Sequence, residues 1–263
     1  MGIKIYQVDA FSDKAFHGNP AAVCILSEPI NEKWAQKVAM EMNLSETAFL
    51  YKEGNGYNLR WFTPTVEVDL CGHATLASAH VLWEENYLDP QEKAIFNTKS
   101  GILQAEQANG WIKLDFPVKP IVEASPPPGL LEILGIKANF VGVNKSDYLI
   151  EVENEAAVRN ITPNSLELRK LPVRGVIVTS QATKGEFDFI SRFFVPGSGI
   201  DEDPVTGSAH CCLGPYWQSK IKKDFFYAYQ ASKRGGTIKI QVKKDRVHLY
   251  GQAITVLKGE LIL

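Results

Sequence analysis

The sequence predicts an α+β protein of two similar halves, in each of which a curved sheet encloses a helix. Three observations predict it. Arg60-Trp61-Phe62-Thr63-Pro64 returns as Arg192-Phe193-Phe194-Val195-Pro196, with Arg, Phe and Pro matched at one offset of about 132 residues, roughly half the chain. Each copy then runs through a turn into a helix start made of very small residues, Cys71-Gly72-His73-Ala74-Thr75 and Thr206-Gly207-Ser208-Ala209-His210. At the constant offset Cys71 falls opposite Asp203. Finally, His73 to Asn86 carries Ala74, Leu76, Ala77, Ala79, Val81, Leu82 and Trp83 all round its helical axis. A helix apolar on every side is buried on every side, and strand patterns dominate the rest of the chain.

The elements follow in order. Ile3 to Ala10 alternates as a strand and Ala21 to Leu26 is a compact apolar strand. Between them Phe16-His17-Gly18-Asn19-Pro20 is a tight loop in which Gly18 and Asn19 are expected to take positive φ. Asn31 to Met42 has helical spacing, with Asn31 as N-cap and Trp34, Val38 and Met42, or Ala35 and Ala39, on the buried face. Gly54-Asn55-Gly56 signals a hairpin between strands ending at Leu50 and Phe62. After the first small-residue helix, Ala94 to Phe116 reads as strands broken at Ser100-Gly101 and Asn109-Gly110. The proline-rich run from Val118 to Leu130 is the natural linker. It divides the chain into residues 1–118 and 119–263, and the C-terminal strand can return to the first half.

In the second half, Leu130 to Leu134 makes one or two helical turns before Gly135, and Tyr148 to Val152 is a strand. Thr162-Pro163-Asn164-Ser165 is a helix entry. Val173 to Ser180 pairs with Glu186 to Phe194 across a turn at Lys184-Gly185. The second small-residue helix spans Thr206 to about Lys220, and strand hairpins complete the chain.

With 263 residues, 45% of them hydrophobic, the chain can bury a substantial core. A net charge of −2 supplies no electrostatic reason to bind nucleic acid or an anionic membrane. Residues 1–11 read as a strand and not as a leader, and no apolar run reaches the roughly 18 residues of a membrane span. Cys24, Cys71, Cys211 and Cys212 have no zinc-like spacing, so free thiols, a cytoplasmic location and no metal are expected.

The chemistry concentrates at the two helix starts. Gly72-His73 and Gly207-Ser208 leave backbone N–H groups unpaired at the positive end of a helix, where a carboxylate or phosphate binds. Each alone reads as an ordinary glycine cap; the pair points to a ligand cleft shared by two halves. Glu46, between Leu44 and Ala48-Phe49-Leu50, is either solvent-facing or partly desolvated and suited to proton transfer. Asp203 is a helix cap or a site residue. His73 at a helix start is a neutral hydrogen-bonding group, whereas His80 and His210 read as packing residues.

Taken together, Phe16-His17-Gly18-Asn19-Pro20, Leu44-Ser45-Glu46-Thr47, Arg60-Trp61-Phe62-Thr63-Pro64, Cys71-Gly72-His73-Ala74-Thr75, Glu202-Asp203-Pro204-Val205-Thr206-Gly207-Ser208 and Arg234-Gly235-Gly236 resemble the phenazine biosynthesis PhzF-like family. That family is related in fold to diaminopimelate epimerase. The resemblance spans nearly the whole chain. It implies two pseudo-symmetric domains, each a mixed, barrel-like sheet around a central helix, with the active site in the cleft between them. It further implies a cofactor-independent isomerase, usually a cytoplasmic homodimer. By the resemblance Glu46 is the proton shuttle and His73, Asp203 and Ser208 position the substrate. Gly72, Gly207, Asn19 and Ser45 complete the expected substrate-binding set. The expected substrate is a small carboxylate-bearing metabolite. Diaminopimelate epimerases use one cysteine in each half, and here only Cys71 matches. An amino-acid epimerase using Cys71 and a non-catalytic binding protein are the competing readings.

Overall fold

A computed structural model describes residues 2–145, 147–183 and 185–262, so Lys184 of the expected Lys184-Gly185 turn lies outside the described residues. The chain divides into two compact units, Met1–Asp115 with Tyr250–Leu263, and Phe116–Leu249.

The first unit begins with β1 (Ile3–Ala10), β2 (Asn19–Leu26), α1 (Glu32–Met42), β3 (Glu46–Glu53) and β4 (Gly56–Phe62). There follow the two-residue β5 (Glu67–Val68), the central helix α2 (Gly72–Glu84), β6 (Ala94–Thr98), β7 (Gly101–Ala108) and β8 (Trp111–Pro117). The Asn31 side chain caps α1 by accepting from the Trp34 amide, and Ala35, Val38 and Ala39 form its buried face. β2 and β3 are parallel, with α1 as the crossover, and β3 turns back antiparallel to β4 through Gly54-Asn55. Alternation sends Ala22, Cys24 and Phe49 to the α1 side, where they pack with Ala35, Val38, Ala39 and Phe62. Their neighbours Ala21, Val23, Ala48 and Leu50, also buried, therefore face the opposite way. That side holds α2, which packs against β1, β2, β3 and β7.

In the second unit come β9 (Val122–Glu123), α3 (Leu130–Leu134), β10 (Phe140–Val143), β11 (Asp147–Glu151), α4 (Glu155–Arg159), α5 (Ser165–Leu168), β12 (Gly175–Gln181) and β13 (Phe189–Phe194). After a 3₁₀ turn at Pro196–Ser198 follow the central helix α6 (Gly207–Ile221), β14 (Phe225–Gln230), β15 (Gly236–Lys243) and β16 (Arg246–Gly251). The sequence reading passes over α4, although Asn154 caps it through the Ala157 amide just as Asn31 caps α1. Five residues are too few to show a helical period. The apolar layer formed by Leu130, Leu134, Val158, Ile161 and Leu168 lies on one face of β11, β12 and β13. On α6, Trp217 stacks on Phe189 and donates to Thr179 Oγ1 at 3.1 Å. A Cβ on Gly214 would lie 2.9 Å from Ile240, so only glycine lets α6 sit this close to β15. Pro215 cannot donate to the Cys211 carbonyl, and the Lys119 amide takes that acceptor at 3.1 Å.

The halves share one wiring. β2–β3 and β11–β12 are parallel, β3–β4 and β12–β13 antiparallel, and β4–β6 and β13–β14 parallel again. β17 (Ala253–Leu261) then runs antiparallel to β1, so the C-terminal strand completes the first unit.

Candidate active site

The sequence-expected residues of the first unit converge where β2, β3 and α2 begin. The loop from Phe11 to Gly18 delivers Asn19. Phe11, Phe16 and Gly18 all have positive φ, whereas Asn19, expected to share that conformation, is already extended in β2. Gly18 is required: a Cβ there would stand 2.2 Å from the Ala10 carbonyl oxygen. The buried carboxylate of Asp9 accepts from the Phe16 amide at 2.6 Å and holds the loop's far side.

Around His73 the distances are short. Its Nδ1 is 3.1 Å from Asn19 Nδ2 and 3.5 Å from Cys71 Sγ. Its Nε2 is 3.2 Å from Glu46 Oε2, an ion-pair distance off the axis of a well-aligned hydrogen bond. Catalytic contacts commonly tighten into alignment only when substrate binds. Burial pushes the His73 imidazole down to about 3, so the ring is neutral through the physiological range. Glu46 is 18% exposed through its side chain, between the two environments the sequence left open. Ser45 lies in the bend before it, also partly exposed. Glu46, Cys71 and His73 offer ligand atoms within 4.8 Å of one another, closer than the cysteine spacing foretold. Cys71 lies at one ring nitrogen and Glu46 at the other. All four cysteines are free and buried.

In the second unit Asp203 and the start of α6 form a separate network. Thr206 Oγ1 donates to Asp203 Oδ2 at 2.5 Å. Gln230 accepts from the Thr206 amide at 2.9 Å and donates to the Asp203 carbonyl at 2.7 Å. Gln230 is a residue that the sequence did not single out, because only β14 pairing brings it there. Gly207 and Ser208 open α6 as Gly72 and His73 open α2. The two helices of 13 and 15 residues leave first-turn amides for an anion. His210 is an interior packing residue, as expected: it donates to the Thr206 carbonyl at 2.7 Å and stacks on Phe189. His80 reaches Thr255 at 3.2 Å and is partly exposed.

The repeat's register corrects the sequence alignment. The constant offset holds through Phe62 and Phe194, which pair in the same way with Glu67 and Glu202. The second turn contains the extra residues of the 3₁₀ segment, so the helix starts lie about 135 residues apart, three more than the offset. Cys71 is therefore opposite Thr206, each the N-cap without a side-chain cap bond, and His73 is opposite Ser208. Asp203 has no thiol counterpart. The strand registers set Glu46 opposite Gly175: Thr47 pairs with Phe62 as Val176 pairs with Phe194. The acid–base candidate is thus present in one half only.

The profile of the family described as phenazine biosynthesis-like protein matches residues 8–259. The chain belongs to that family. An uncharacterized isomerase of Halalkalibacterium halodurans is 56% identical to it over the full length of both chains. A PhzF-family protein of Enterococcus faecalis is 42% identical, with a TM-score of 0.95 over 100% of each chain. A predicted epimerase of Pseudomonas aeruginosa, 20% identical with 99% of both chains covered and a TM-score of 0.80, shows the same α+β fold. Like these family relatives, the chain is an isomerase. No helix among the described residues is long and apolar enough to cross a membrane.

Proposed function

We propose that the protein moves a proton between carbons of a small carboxylate-bearing metabolite, with Glu46 taking up and returning the proton. The observation that carries this reading is the Glu46 carboxylate 3.2 Å from a buried, neutral His73 at the start of α2. The first-turn amides at Gly72 would receive the substrate's carboxylate and His73 would orient it; in the second unit the amides of Gly207-Ser208, with Asp203, form a candidate anion site of their own. Asn19 acts through His73, and Ser45 flanks the base. Such a proton transfer needs no cofactor. An epimerase with matched thiols is disfavoured, because the position opposite Cys71 is Thr206.

Small carboxylates are first screened for thermal stabilisation; a ligand at one hundred times its Kd adds about 2.7 kcal/mol. With a substrate found, Glu46→Gln is expected to bind it while turnover falls by roughly 10²–10⁴. Solvent deuterium enters the product of the wild type and is nearly absent with the variant. Wild-type turnover by Glu46→Gln would overturn the assignment and direct attention to Asp203 or Cys71.

A further inference from the structure

We infer that Asn19 and Cys71 are positioning residues that hold His73 as the Nε2–H tautomer, the form that offers a donor to the Glu46 carboxylate. A neutral imidazole carries one proton, and its partners decide which nitrogen bears it. The amide nitrogen of Asn19, 3.1 Å from Nδ1, donates and cannot accept. Cys71 adds an S–H donor 3.5 Å from the same nitrogen. Its side chain does not cap α2, the usual task of a residue at that position, and is turned to the ring instead. Nδ1 is thus the bare nitrogen. At the other end the nearest charged oxygen to Nε2 is Oε2 of the Glu46 carboxylate, 3.2 Å away though off the hydrogen-bond axis, and an ionised carboxylate accepts only. The opposite tautomer would set N–H against NH₂ at one nitrogen and lone pair against lone pair at the other. Both conflicts would fall on a ring that is 95% shielded from solvent, where unpaired polar groups are costly.

The consequence for catalysis rests on the reading of Glu46 as proton carrier. Once substrate tightens the contact into alignment, Oε2 accepts from Nε2–H whether Glu46 is ionised or not. The transferable proton then rides on Oε1. Asn19, expected from the sequence in the substrate-binding set, becomes the group that sets which oxygen works.

The test needs no substrate. Protein labelled with ¹⁵N in its histidine rings is studied by long-range ¹H–¹⁵N correlation at pH 7, with His73 assigned through His73→Gln. The wild type is expected to show protonated Nε2 and bare Nδ1. Asn19→Asp replaces the donor at Nδ1 by an acceptor and is expected to move the proton to Nδ1. Cys71→Ser keeps a donor and keeps the tautomer, whereas Cys71→Ala admits a measurable fraction of the other form. A wild-type ring protonated at Nδ1 overturns the inference whatever the variants do. So does an Asn19→Asp protein with a native backbone spectrum and an unchanged ring. Given a substrate, Asn19→Asp should lower kcat tenfold or more with little change in KM. If His73 shows the Nε2–H form but Glu46→Gln remains fully active, the tautomer assignment stands and the assignment of Glu46 falls.

Discussion

Glu46 and His73 come from segments that are polar exceptions within apolar surroundings, and their environment carries a pH signature. Burial holds His73 down at about 3 and His210 at about 4, against 6.5 in the unfolded chain. Between those values the unfolded state binds more protons, so stability is intact above pH 6.5 and is lost as pH falls towards 4. Each histidine contributes roughly 1.4 kcal/mol per pH unit in that window. Melting temperature followed from pH 7.5 to 4.5 should show this slope, and His73→Gln should flatten it. An unchanged slope would mean that His73 is hydrated in solution. Gly18 supplies a second prediction at this scale. Gly18→Ala forces a Cβ into the Ala10 carbonyl at a positive φ, at a cost of about 1–3 kcal/mol. It should also displace Asn19, so activity should fall further than stability alone explains.

At the scale of elements, the repeated arginine explains why the motif recurs. Arg60 grips Glu67 with two hydrogen bonds of 2.7 and 2.6 Å, and Arg192 grips Glu202 with two of 2.7 and 2.8 Å. Each guanidinium also lies over the phenylalanine two residues on. Arginine's planar fork suits both tasks, which lysine cannot perform together. In each half the clamp ties the end of a central strand to the turn that leads into the buried helix. Arg192→Met leaves Glu202 with little solvent compensation and should cost about 2–3 kcal/mol, less than a fully buried pair. On the role proposed for Asp203, which follows Glu202 directly, substrate binding should weaken as well. Denaturant unfolding and ligand titration of the variant check both; unchanged values would show the clamp to be incidental. Within α6, Gly214→Val should cost roughly 1–3 kcal/mol through overpacking against Ile240 and Val242.

At the scale of the whole molecule, the last strand belongs to the first unit. β17 pairs with β1 from Ala10↔Ala253 to Ile3↔Leu261. Deleting residues 252–263 removes that partner and leaves β1 its pairing with β2. The first unit should then lose hydrogen-exchange protection along β1, while strands β12 and β13 in the second unit keep theirs. Loss of protection throughout would show that the two units unfold as one.

Residues close in sequence made much of this protein legible. The helix caps, the Gly54-Asn55 hairpin, the all-apolar α2 and the repeated arginine motif depend on local spacing, and local spacing is written in the chain. The small-residue helices could be read as enclosed because no other environment accepts a helix that is apolar all round. Pairing across distance was not legible. Whether Glu46 meets water or His73 depends on where β3 begins relative to α2, and Gln230 reaches Thr206 only through the parallel β13–β14 pair. The three-residue lengthening of the second turn also stayed hidden, since a constant offset fits the strands on its near side equally well. Hydrogen-bonded register decides between the two offsets the motifs allow, setting Thr206 opposite Cys71, and it alone sets Gly175 opposite Glu46. The reason is physical: a strand's partners are chosen by the ladder it joins, and a turn absorbs extra residues without changing the pattern on either side of it.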